Sequence, residues 1–362
     1  MKSTIIKILT FLFSLWFLNA CGGGAASDQP PEIPQLPETV DDIENQIVSN
    51  LDSLNSDADF TFYIRSASGY SFIHSTGSST EETSYESASS SKMVTAAVIL
   101  HSVLKGELSL EDNPQTYINN WETTGNQSLI ELKHLLSFTS GLVSEPFCLN
   151  IGWRDFEECV ENISDDNKNI VTPGTEFYYA STHLQVAGLM AIKAAGLQSW
   201  AELFDRFKNE TGLFPTSTYD LPSSNNPRLA GGMHWTASEY IEFLEALYHE
   251  EILTTELINL MTTDQLGSAT IAYSPAMDAT GYDWHYGYGS WIECNFAQFD
   301  CDPATRVSSP GAYGAYPFID FNNGVFGILA RQGNLGTFAE GYEIFNSVVT
   351  DVESWASLQN SR

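Results

Sequence analysis

Lysine and arginine are scarce in this sequence: 15 stand against 46 aspartates and glutamates in 362 residues, a formal net charge of −31. Nucleic acids and anionic lipid surfaces are held by clustered cations that displace counterions, so the charge balance argues against both as partners. Long apolar runs are also missing. The stretch from Ile8 to Leu18 is too short to span a bilayer comfortably, and no later one is apolar enough to try. The five cysteines show no C-x-x-C spacing and have no histidines beside them, which argues against zinc, and no other metal or cofactor is implied. There is no internal repeat. With 43% hydrophobic and 17% charged residues the chain is too apolar for global disorder, and its length is ample for one large or two interleaved domains around a buried core.

Met1 to Ala20 reads as a signal peptide, with Lys2 and Lys7 ahead of the apolar run. The run ends in Leu18-Asn19-Ala20-Cys21, which resembles the lipobox of bacterial lipoproteins. That resemblance implies that Cys21 becomes the lipidated first residue, and Gly22 after it resembles a signal for the outer membrane. Residues 21–37, glycine-rich and then proline-rich, read as a flexible tether. The expected location is therefore the bacterial cell envelope, with the membrane touched only through the lipid on Cys21. Four cysteines remain. An even count in an exported chain suggests two disulfides, and of the three possible pairings the local one, Cys148 with Cys159 and Cys294 with Cys301, is the working proposal.

Hydrophobic spacing at Val40, Ile43, Ile47, Leu51 and Leu54 predicts a helix at the start of the folded part. Phe60 to Arg65 and Tyr70 to His74 read as a hairpin around Ser66-Ala67-Ser68-Gly69. A second helical stripe, Met93 to Leu104, ends at Gly106, and Leu129–Leu136, Leu184–Ala195 and Trp200–Phe207 look helical too. Capping-box spacings at Ser199/Glu202, Thr236/Glu239 and Thr337/Glu340 mark helix starts. Strands are expected at Gly287–Glu293, Tyr316–Phe321 and Val325–Ala330, the last two joined by Asn322-Asn323-Gly324. A final helix carries Tyr342, Phe345, Val349, Val352 and Trp355 on one face. The order predicts an α/β (α+β) fold: a sheet flanked by helices from both chain ends, about 38–88 and 285–357, with a mostly helical part, about 93–284, inserted between them.

Ser89-Ser90-Ser91-Lys92 places a lysine one turn above a serine at the entry to an apolar helix. A serine hydroxyl needs a base to take its proton, and an amine desolvated by a core loses its own proton more easily. Downstream come His134-Leu135-Leu136-Ser137-Phe138-Thr139-Ser140-Gly141-Leu142, then Pro173-Gly174-Thr175-Glu176-Phe177-Tyr178-Tyr179-Ala180-Ser181, then Ala230-Gly231-Gly232-Met233-His234-Trp235-Thr236-Ala237. In order and spacing this series resembles the serine hydrolases related to penicillin-binding proteins and class C β-lactamases, a family that also holds D-alanyl-D-alanine carboxypeptidases and esterases. The resemblance runs from about residue 40 to 355 and implies a β-lactamase/transpeptidase-like fold with an antiparallel sheet. It also implies that Ser89 is the acyl-accepting nucleophile, Lys92 its proton acceptor or electrostatic partner, and Tyr179 the tyrosine of the Tyr-x-Asn motif, made easier to ionise by Lys92.

Two departures matter. Ser181 stands where asparagine is usual, and a hydroxyl has fewer donors and less reach than an amide. The strand motif Lys-Thr-Gly or His-x-Gly is replaced by Ser309-Pro310-Gly311, so that Ser309 takes the place of a cation, while the Ala312 and Ser89 amides would form the oxyanion hole and Gly311 would let substrate approach. A charge-assisted contact to a substrate carboxylate contributes about 1.5–3 kcal/mol, and its loss here favours esters or amides without one; Arg306 and Arg331 are the candidates to replace it. Trp153, Trp235, Tyr313 and Trp291 are candidate cleft residues, and His134 and His183 read as structural. The expectation is an envelope serine hydrolase, domain about 38–357, forming an acyl-enzyme with a small ester, amide or peptide substrate, with esterase or amidase ranked first, carboxypeptidase acting on a cell-wall peptide next and β-lactamase last. A catalytically degenerate lipoprotein that binds a peptide or envelope partner is the alternative.

Overall fold

The computed structural model describes residues 39–362. The leader, Cys21 and the tether lie outside the described residues. Among the described residues no helix is long and apolar enough to cross a membrane. The described residues open with the helix Val40–Asp52, which buries Val40, Ile43, Ile47 and Leu51 and is capped by the Thr39 side chain accepting from the Asp42 amide.

Seven strands form the main sheet: β1 (Phe60–Ser66), β2 (Ser71–Ser75), β3 (His285–Tyr286), β4 (Trp291–Glu293), β5 (Arg306–Ser308), β6 (Tyr316–Asp320) and β7 (Val325–Arg331). Their order is β2-β1-β7-β6-β5-β4-β3, and every neighbouring pair is antiparallel. The sheet thus joins the two ends of the sequence, with Tyr63 opposite Ile328 and Val307 opposite Ile319. All residues of β6 and β7 are buried, as expected of central strands covered on both faces. On one face Tyr316 and Phe318 meet Phe345; on the other Phe326 meets Tyr248, at the end of the helix Ala237–Tyr248.

Between β2 and β3 lies the helical part, with the long helices Ser91–Leu104, Phe156–Asp166, Thr182–Ala194, Trp200–Thr211 and Ala237–Tyr248. Small strands interrupt it: Tyr85–Glu86 and Thr218–Tyr219 pair with Met233–Trp235, and Glu176–Tyr178 runs parallel to Thr270–Tyr273. Ser199 and Thr236 cap their helices as the spacing predicts, each accepting from the backbone amide three residues on. The disulfides join Cys148 to Cys159 and Cys294 to Cys301.

Several local expectations are corrected. Gly287–Glu293 is not one strand but the turn and second strand of a tight hairpin between β3 and β4, since Gly289 takes a φ of 75° and a Cβ there would lie 2.5 Å from Ala96 Cβ. Leu129–Leu136 divides into a 3-10 turn, Asn126–Leu129, and a short helix, Leu132–Leu136. The last helix is two, Phe338–Asn346 and Val349–Asn360. Each half has its own partner: Phe345 packs on the sheet, while Trp355 reaches the first helix and donates to Glu44 at 2.9 Å. Ser347 turns its hydroxyl back onto the Ile344 carbonyl between them, a bond that competes with helix continuation. Thr337 begins its helix without a side-chain cap, because its hydroxyl bonds the Asn334 carbonyl and Glu340 faces Arg331 and the Asp57 amide.

Candidate active site

Ser89 sits in a 3-10 turn, Ala88–Ser90, that opens directly into the helix Ser91–Leu104. Ala88 holds a φ of 43°, a left-handed value that costs a residue with a side chain about 1–2 kcal/mol and makes the turn sharp. Tyr240 donates to the Ser90 carbonyl at 2.8 Å and Tyr219 to that of Ser91 at 3.2 Å, so the turn is anchored from the helical part. Because the helix is buried on almost all sides, Lys92 enters the core and is only 3% exposed. Its Nζ donates to Ser89 Oγ and to the Ala230 carbonyl, both at 2.8 Å. Desolvation brings the Lys92 pKa down from 10.5 to about 7, against the pull of Glu145, while Arg228 pushes in the same direction as burial. A lysine poised there can release Ser89's hydrogen bond and accept its proton while still donating to Ala230.

Tyr179 follows the strand Glu176–Tyr178, and its amide bonds the Tyr273 carbonyl at 3.2 Å. Its ring stacks on Trp291 at 5.0 Å between centroids and presents its face to Lys92 Nζ, 4.7 Å away. Burial raises its phenol well above the usual value of 10, and the opposing influence of Ser89 and Trp291 does not offset this. The expectation that Lys92 would ease ionisation of Tyr179 is therefore corrected: the amine gives up its charge first, and the phenol remains a proton donor. Ser181 reaches the cleft, with its amide donating to the Glu145 carboxylate, but its hydroxyl makes no hydrogen bond to Lys92.

The third segment lies beside the nucleophile. Strand alternation turns Ser308 toward the buried Glu293 and Ser309 toward Ser89, whose carbonyl accepts from the Ser309 hydroxyl at 3.1 Å. Ser309 is 3% exposed and lines neither part of the cleft, so it is a structural contact and not a substitute for the missing cation. Gly311 approaches so closely that a Cβ would stand 2.5 Å from the Ser87 carbonyl oxygen. Ala312 lines the cleft, and among the described residues neither its amide nor that of Ser89 has an acceptor, which leaves both free for a developing oxyanion. Arg306 and Arg331 do not replace the lost charge. Both are buried, Arg306 against Glu293 and Glu353 and Arg331 against Asp57 and Glu340.

Around Ser89 and Lys92 the surface opens into two lobes, of about 530 and 320 Å³, which also share Ser181 and Ala312. The larger has Tyr179, Trp291, Tyr273 and Phe338 as walls and Glu145 as its only acidic group. The smaller holds Tyr313, Glu86 and Arg228. Trp235 packs in the core and Trp153 is 75% exposed away from both lobes. His183 bonds the Ser140 hydroxyl at 2.8 Å and the Tyr178 carbonyl at 2.9 Å, and burial lowers its pKa to about 4, so it ties the Ser140 loop to the strand before Tyr179 as a neutral ring. The sequence reading missed Glu145 and Arg228. The only local signals were their places just after Ser140-Gly141-Leu142 and just before Ala230-Gly231-Gly232.

The family described as Beta-lactamase matches residues 61–343, a span that contains every one of these groups. The chain belongs to the Beta-lactamase family. It is a serine hydrolase of that family, with its β-lactamase/transpeptidase-like fold. It is 27% identical to a putative beta-lactamase from Bacteroides dorei, with a TM-score of 0.72 over 86% of this chain and 98% of that one. The fold is shared with a penicillin-binding protein from Bacillus halodurans (17% identity, TM-score 0.64, 85% and 98% covered). It is shared too with EstCE1, a hydrolase with promiscuous acyltransferase activity (15%, 0.67, 88% and 98%). No curated protein matches the chain.

Proposed function

We propose that this β-lactamase-related protein hydrolyses an ester or amide through an acyl-enzyme on Ser89, at the cell envelope, where a lipid on Cys21 holds it. The observation that carries the catalytic part is the 2.8 Å bond between Ser89 Oγ and a buried, readily deprotonated Lys92. In this reading neutral Lys92 takes the hydroxyl proton as Oγ adds to the carbonyl carbon. The oxyanion is received by the Ser89 and Ala312 amides. When the bond to the leaving oxygen or nitrogen breaks, Tyr179 supplies its phenolic proton and recovers one from Lys92. Water then adds to the acyl-enzyme by the same route in reverse, releasing the acid and restoring Ser89. The absence of a cation on the Ser309 strand and in the larger lobe besides Lys92, which leaves a penicillin carboxylate no charged partner there, and the aromatic walls of that lobe support esters and amides over penicillins. The lipobox residues Leu18–Cys21 and the two disulfides, which suit an oxidising compartment, support export.

The test is the intact mass of the chain from about residue 30 onward after a fluorophosphonate and, separately, a penicillin, each beside Ser89→Ala. A fluorophosphonate adduct that needs Ser89, without a penicillin adduct, is expected. Adducts from both would restore carboxypeptidase or β-lactamase activity, and none from either would leave the binding protein, a reading favoured by the engaged Ser309 hydroxyl. Metabolic labelling with a lipid precursor checks the anchor, and an unlabelled Cys21 would refute it.

A further inference from the structure

Most lysines and arginines among the described residues find a carboxylate. Among the described residues every lysine and arginine except Lys92, Arg154, Arg228 and Arg362 lies within 4.0 Å of one. Arg154 and Arg362 lie over the rings of Trp153 and Tyr70, and Lys92 serves Ser89. Arg228 has none of these. Its Nε is buried without a hydrogen-bond partner, and its side chain lines the smaller lobe together with Ser89, Lys92 and Ala312.

Its backbone is held firmly. The Arg228 amide donates to the Leu221 carbonyl at 2.8 Å, and its own carbonyl accepts from Gly231 and Gly232 at 3.1 and 2.7 Å. That turn ends beside Ala230, whose carbonyl anchors Lys92, so the guanidinium and the catalytic amine are carried on one short rigid segment. Glu86 is the acidic group in the same lobe. It lies beside the Tyr313 phenol and beyond 4.0 Å from Arg228, which leaves the fork of N–H donors uncommitted. The other lobe, by contrast, bears Glu145 and has no cation besides Lys92.

We propose that Arg228 is a specificity residue that receives a carboxylate of the substrate in the smaller lobe, which Glu145 does not line. The proposal rests on the hydrolase reading and refines it: the charge recognition absent from the Ser309 strand is supplied from the Arg228 turn. A planar guanidinium binds a carboxylate by two parallel hydrogen bonds, a contact a neutral isostere cannot make.

The experiment measures binding by calorimetry to the mature chain carrying Ser89→Ala, so that it does not depend on turnover. The probes are phenyl hemiglutarate, with its carboxylate on the acyl side, 4-acetoxybenzoate, with its carboxylate on the leaving side, and a neutral isostere of each. One carboxylated ester is expected to bind at least about tenfold more tightly than its isostere at low salt, with the advantage shrinking as ionic strength rises. Adding Arg228→Gln should remove that advantage, and Arg228→Lys should retain part of it, with unchanged circular dichroism showing that both variants fold. Equal affinity for charged and neutral probes, or an advantage that survives Arg228→Gln, would overturn the proposal. The parent protein's failure to hydrolyse any of the four esters would instead count against the hydrolase reading, and the binding ratio would still decide the role of Arg228.

Discussion

Raising the pH from 5 to 9 should switch this hydrolase on, and the reason is the desolvation of one amine. Lys92 must be neutral to accept the Ser89 proton. An exposed lysine would be neutral in only about one molecule in several thousand at pH 7, whereas Lys92, with its pKa brought to about 7, is neutral in about half. That difference corresponds to a net disfavouring of the ammonium by roughly 5 kcal/mol, in which lost solvation is the largest contribution. The assay is kcat/KM for a neutral aryl ester as a function of pH. It should rise about tenfold per pH unit below 7, bend near 7, and stay level to at least pH 9, because Tyr179 keeps its proton above 10. Lys92→Arg, which cannot become neutral, should lower kcat by about two to four orders of magnitude. Stability carries the same signature. The folded chain releases the Lys92 proton near 7 and the unfolded chain near 10.5, so unfolding takes up a proton between those values and this group's contribution to stability rises with pH across that window. A flat rate profile from pH 5.5 to 8.5, or an acid limb that persists in Lys92→Arg, would refute the assignment of Lys92 as the base.

Three further outcomes follow from neighbouring groups. Glu145 favours the charged form of Lys92, so Glu145→Gln should move the acid limb of the rate profile to lower pH, while a shift upward would contradict the electrostatics. Gly311→Ala forces a Cβ to within 2.5 Å of the Ser87 carbonyl oxygen and must separate the two oxyanion amides; kcat should fall by about 10²–10³ with KM little changed, as steady-state kinetics would show. Glu293, wholly buried, accepts from Ser308 and from Tyr316 at 2.5 Å each and lies 3.3 Å from Arg306, so Glu293→Ala leaves that guanidinium without its nearest counter-charge. It should cost about 3–5 kcal/mol in denaturant unfolding, and a loss under about 1 kcal/mol would show that the pair is not needed.

Much of the scaffold could be read from local pattern. The hairpin from Phe60 was visible because its strands and turn are adjacent in sequence, and Ser89 and Lys92 because one helical turn places them together whatever surrounds the helix. Local pattern misled where a distant partner decided. The stripe from Tyr342 to Trp355 is continuous on a helical wheel, yet its halves pack on the sheet and on the first helix, and the helix divides between them. Thr337 and Glu340 have capping-box spacing, but Arg331 and Asp57, brought in by the sheet, draw the glutamate elsewhere.

By itself the sequence determined the alternation of strands and helices, the acidic balance of the chain, and the pairing of a serine with a lysine, since all of these depend on composition or on residues a few positions apart. Only the tertiary structure decided which charges are available for chemistry. Arg306 and Arg331 look like free cations in the sequence but are spent on carboxylates inside the fold, while Arg228, unremarked in its own segment, is left facing the nucleophile. Those outcomes depend on desolvation and on partners on other elements, as far off in the chain as Asp57 is from Arg331, which only the packed structure brings within a few ångströms.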